Sequence, residues 1–106
     1  MKVTVFNKLV RDRIPEIIET AGKTCTTEIL TDAWYIDMLD SKLNEELAEY
    51  QESKSLDELA DLLEVIQAVA KAHGWTLDDL EKVRENKAIE RGGFEKRILL
   101  KEVIEK

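Results

Sequence analysis

The chain of 106 residues holds one cysteine, one proline and four glycines, and each scarcity removes an option. Cys25 stands alone, which excludes an internal disulfide and any all-cysteine metal site, so it reads as structural filler. With so few helix breakers, long stretches are free to be helical. No apolar run approaches the roughly 20 residues that span a bilayer. The opening MKVTVFNKLVRDR has neither the apolar core nor the small-residue cleavage site of a secretory signal. The expected location is therefore the cytoplasm, with no membrane contact. A Walker A loop, a dinucleotide-binding glycine fingerprint, zinc-ligand spacing and a nucleophile elbow are all missing from the sequence.

Hydrophobic residues make up 43% of the chain and charged ones 37%. That balance is too apolar for disorder and too polar for a membrane protein. The length fits a single domain covering residues 1–106. A net charge of −7 sets up a field that repels phosphate backbones, so nucleic acid is not an expected partner.

The breakers divide the sequence into an all-α pattern of about four antiparallel helices with minor extended segments near the termini. Asp12 can cap a short helix, RIPEIIETAG, that tolerates Pro15 in its first turn and stops at Gly22. TCTTEIL reads as a short extended segment. A longer helix is expected from Thr31 or Asp32 to roughly Glu52, with Ile36, Leu39, Leu43, Leu47 and Tyr50 as one apolar stripe. Ser55 and Glu58 form a capping box that opens a third helix, which runs to Gly74. Thr76 and Asp79 repeat the cap for a fourth, Leu77 to Arg91, ending at Gly92-Gly93. The tail FEKRILLKEVIEK gives no single reading, although Phe94 is expected to pack back onto the bundle.

The acids of the two central helices are oddly placed. At about 100° per residue, Glu46 falls about 60° from the centre of the stripe and Glu49 about 60° further round, while Glu45 points toward water. On the next helix Asp57, Ala60, Glu64, Gln67 and Lys71 form a narrow polar strip, and most of the remaining circumference is apolar. That helix is expected to be buried on more than one side. Glu58 and Asp61 lie off the strip, on the face that carries Val65, Ala68 and Ala72. Carboxylates beside a core are costly unless paired, protonated or bound to a cation. Mg²⁺ prefers such oxygen ligands, and the E-x-x-E and E-x-x-D spacings put each pair on one helical face. Helix capping is the competing explanation for Glu58.

LNEELAEY followed by LDELADLLEVIQA resembles the E-E-x-x-E and E-x-x-D motifs of the MazG-like all-α nucleotide pyrophosphohydrolases. NKLVRDRIPEII and NKAIERGGFEKRILL resemble the phosphoribosyl-ATP pyrophosphohydrolase-like branch of that superfamily in particular. The resemblance implies a metal site at Glu46, Glu49, Glu58 and Asp61, with Glu45 as an alternative ligand. Only eight residues separate Glu49 from Glu58, a tighter interval than many members show. The activity implied is Mg²⁺-dependent hydrolysis of a nucleoside triphosphate between its α and β phosphates, with Mn²⁺ as a substitute ion, giving a monophosphate and pyrophosphate. Glu46 or Glu49 would act as catalytic base, and nucleotide-pool house-cleaning is one purpose for the reaction.

Lys87 and Arg91 are one turn apart, and Lys87 continues the Leu80/Val83 stripe, so these two are expected to bind substrate phosphate. Lys8, Arg11, Arg13 and Arg97 are weaker candidates for contact with ligand or a partner subunit. His73 reads as a helix C-terminal cap, and Trp34, Tyr35 and Trp75 as core or interface anchors. So much apolar helix surface points to a homodimer or a dimer of dimers, with a second subunit helping to complete the nucleotide pocket. Two alternative functions remain: a phosphoribosyl-ATP pyrophosphohydrolase of histidine synthesis, and a non-catalytic helical interaction module.

Overall fold

Three of the four helices begin at a hydroxyl. Thr31, Ser55 and Thr76 each hold extended backbone and turn a side-chain oxygen onto the amide three residues ahead, satisfying one of the donors a helix start leaves free. The computed structural model describes residues 2–106 and contains α1 (Ile14–Thr20), α2 (Asp32–Ser53), α3 (Leu56–Ala72) and α4 (Leu77–Arg91), with no strand among the described residues. At Thr76 the box is reciprocal, since the Asp79 carboxylate accepts from the Thr76 amide at 2.9 Å. At Ser55 only half of the expected box forms. The Ser55 amide donates to Ser53 Oγ at 3.3 Å instead of to Glu58. α1 starts at Arg13 with no side-chain cap, so Asp12 does not cap it, and Pro15 sits in its first turn as expected.

α2 closes at Lys54, which takes the left-handed conformation (φ 57°) and donates its amide to Tyr50 O at 2.7 Å. Lys54 and Ser55 are the whole connection, so α3 folds back antiparallel along α2, and this pairing is the main packing of the chain. Leu39, Val65 and Ala70 are buried there, with Ile36, Leu43 and Tyr50 half-buried and Leu47 exposed at the edge.

α4 rests more lightly on α3. Leu77 and Leu80 face Leu63 and Ile66 across a hollow of about 290 Å³. Its inward row runs Leu77, Leu80, Ala88, with Arg84 lining the hollow, whereas Val83 and Lys87 are exposed. Lys87 is therefore not an inward lysine. The side that faces α3 passes through positions 77, 80, 81 and 84 rather than 80, 83 and 87.

α1 packs against no other helix, TCTTEIL has no regular structure, and the radius of gyration is 18.9 Å, with extents of 70 × 31 × 23 Å. A compact domain of this size would have a radius near 13 Å. α4 covers the α3 side away from α2 only in part, since Leu56 is 81% and Leu63 53% exposed. Phe94 is 97% exposed and does not pack back onto the helices. Among the described residues, no helix is long and apolar enough to cross a membrane.

Candidate metal centre

The antiparallel pairing sets the last turns of α2 beside the first turns of α3, so the acids of both motifs meet. One carboxylate oxygen from each of Glu46, Glu58 and Asp61 lies within 4.8 Å of the others, and the same holds for Glu45, Glu46 and Glu49. Glu46 belongs to both groups. It is also the one charged residue buried among those described, at 6% exposure.

Two oxygens of this cluster are buried with no hydrogen-bond partner: Glu46 Oε2 and Glu58 Oε2. The origin of the second is local. Because the Ser55 amide is taken by Ser53, the Glu58 carboxylate is left out of the reciprocal capping box, although it keeps its place in the first turn of α3. A buried carboxylate oxygen without a donor costs on the order of 1–3 kcal/mol or more. A hard divalent cation is the partner that an all-oxygen donor set fits. Glu46, Glu58 and Asp61, with Glu49 and Glu45 alongside, are the residues that would hold it.

Three cations already lie against these acids. Lys42 Nζ is 3.3 Å from both Glu45 Oε1 and Glu46 Oε1, Lys8 Nζ is 3.2 Å from Glu45 Oε1, and Arg11 Nη2 is 2.6 Å from Asp61 Oδ1. Burial is the strongest influence on Glu46 and pushes its carboxyl above the usual range; Lys42 opposes this, and the neighbouring Glu49 adds to it. Burial is also the largest single influence on Glu45, again upward. There the hydrogen bonds and charges of Lys8 and Lys42 together prevail, so its pKa lies below the usual value. Glu45 thus does not point to open water, as helical projection alone suggests. It turns along the seam because two ammonium groups meet it there.

Lys42 is the residue that sequence reasoning missed, although its spacing to Glu45 and Glu46, three and four residues, is the ordinary signal of a helical ion pair. Lys87 and Arg91 are exposed, and among the described residues neither forms an ion pair with the cluster. Arg91 instead lines a hollow with Gly93, Phe94 and Arg97. Arg13 pairs with Glu16 on the surface. His73 occupies the C-cap of α3, its ring 5.6 Å from that of Trp75, and Trp34 and Trp75 are exposed while Tyr35 is half-buried. Neither of these two hollows is lined by an acid of the cluster.

A protein of Mycolicibacterium smegmatis, described as uncharacterized, is 46% identical to this chain over 50 residues, which is 47% of this chain and 51% of that protein. The matched stretch thus spans about half the length of each. No family model matches the sequence. No solved structure matches it.

Proposed function

We propose that the protein is a Mg²⁺-dependent nucleotide pyrophosphohydrolase that cleaves a nucleoside triphosphate between its α and β phosphates. The observation that carries this reading is the pair of buried, partnerless carboxylate oxygens on Glu46 and Glu58, inside a cluster made only of oxygen donors. An acidic cluster alone is common on helices; two orphaned oxygens within it call for a cation. The resemblance of the E-E-x-x-E and E-x-x-D motifs to MazG-like enzymes supplies the reaction class.

Glu46, Glu49, Glu58 and Asp61 bind the ion, with Mn²⁺ as a substitute. When bound, the ion offsets phosphate charge and makes a coordinated water more acidic. Glu49 or Glu46 accepts a proton from the attacking water. The apolar face of α3 that α4 leaves partly exposed supports assembly into a homodimer or dimer of dimers, through which a second subunit completes the nucleotide pocket. A cytoplasmic location and a house-cleaning purpose accompany this reading.

The test is pyrophosphate release across a panel of ribo- and deoxyribonucleoside triphosphates and phosphoribosyl-ATP, with and without Mg²⁺. Metal-dependent release from triphosphates is expected. Turnover of phosphoribosyl-ATP alone would move the protein to histidine synthesis. No turnover, together with no Mg²⁺-induced stabilisation, would leave a non-catalytic helical interaction module.

A further inference from the structure

Among the described residues, two side-chain ion pairs join positions more than four residues apart, Lys8 to Glu45 and Arg11 to Asp61, across 37 and 50 residues of sequence. Every other ion pair is local to one helix or its edge. Both long pairs start on the segment before α1 and end on the acid cluster. α1 itself packs against no helix, so no helix packing explains why this segment is where it is. Asn7, with φ 47°, bends the chain just before Lys8, and the Arg11 carbonyl accepts from Ile14 at 3.0 Å in the turn that begins α1.

Five carboxylates gather at the seam, and Lys8, Arg11 and Lys42 contact three of them. The formal remainder is two negative charges, which one divalent ion neutralises. Lys8 and Arg11 are 43% and 56% exposed, and pairs of that kind contribute little stability, so exchanging their partners costs little. An ion that takes Asp61 frees the Arg11 guanidinium beside it, and where Glu45 serves as the alternative ligand it frees the Lys8 ammonium as well. Arg11 offers its remaining N–H donors in a planar fork that matches phosphate oxygens.

We propose that Lys8 and Arg11 form a polyphosphate-binding subsite next to the metal: they neutralise Glu45 and Asp61 while the metal is absent and transfer to the substrate's phosphate oxygens once it is bound. The proposal rests on the metal reading above and adds to it the residues that receive the phosphates. It places that role on the N-terminal arm instead of on Lys87 and Arg91. A chain with net charge −7 needs such local cations to admit a polyphosphate.

The experiment compares the parent with Lys8→Gln, Arg11→Gln and Arg11→Lys by calorimetry, first with Mg²⁺ alone and then with inorganic pyrophosphate at fixed free Mg²⁺. The glutamine variants should bind Mg²⁺ as tightly as the parent or more tightly, because a competitor for the carboxylates is gone, and should bind pyrophosphate about tenfold more weakly. Arg11→Lys should fall between Arg11→Gln and the parent. If both glutamine variants bind pyrophosphate as the parent does, while the parent binds Mg²⁺ normally, the subsite is refuted and the metal site stands. If Arg11→Gln loses Mg²⁺ binding itself, Arg11 is a structural pin and the proposal is also wrong. Absence of Mg²⁺ binding by the parent would overturn the metal reading and the subsite together.

Discussion

Glu46 is the residue on which the site's energetics turn, because it is buried, carries an oxygen without a donor, and has a raised pKa. A carboxyl whose folded pKa lies above its unfolded value stabilises the fold fully below the unfolded pKa, and that contribution is lost as pH rises through the folded value. Metal-free protein should therefore lose stability as pH rises above the ordinary glutamate range, and Glu46→Gln should flatten that loss in urea titrations run in chelator. Glu45, with its lowered pKa, has the opposite sign: its contribution is present above the usual range and disappears as pH falls through the folded value. Glu64 lies exposed on the polar strip of α3, so Glu64→Gln should change stability by less than about 0.5 kcal/mol at any of these pH values. The division between strip and seam on α3 was legible in the sequence, since Glu58 and Asp61 share the face of Val65. The orientation of Glu45 was not, because Lys8 reaches it from 37 residues away and helical projection carries no information on such a partner.

At the scale of elements, caps and breakers located the helices to within a residue or two wherever a hydroxyl opened or a glycine closed them. Thr76 and Gly92 bound α4, and Ser55 opens α3. The failures have specific causes. Asp12 does not cap α1, and the half-box at Ser55 arises because Ser53, two residues earlier, competes for the same amide. Thr76 and Asp79 do form both bonds, so Asp79→Ala should destabilise the protein by about 1 kcal/mol in denaturant melts, while Asp78→Ala, outside the box, should cost clearly less. Leu39 is the best-buried large side chain between α2 and α3, and Leu39→Ala should cost about 2–4 kcal/mol. By contrast Phe94→Ser should leave a monomeric chain's stability nearly unchanged, since its ring touches solvent rather than the helices.

The whole molecule is a long helical hairpin with a light third helix and two apolar-rich ends. Periodicity alone could not give this shape, because an apolar face on α3 looks the same whether its partner comes from the same chain or another. Leu56, Leu63 and Ile66 remain exposed, and a homodimer would cover them. Light scattering at micromolar concentration should give at least a dimer mass, and Leu56→Asp, which lies outside the α3–α4 contact, should shift it toward the monomer. A metal held at the proposed centre would act at this scale too, tying α2 to α3 through Glu46, Glu58 and Asp61. The most direct measurement of that claim is the melting temperature with and without Mg²⁺ for the parent, Asp61→Asn and Glu64→Gln. At a hundredfold excess over the dissociation constant, Mg²⁺ should raise the melting temperature of the parent and of Glu64→Gln by roughly 10 °C and leave Asp61→Asn almost unmoved. An Asp61→Asn variant that keeps the full shift would contradict the metal centre.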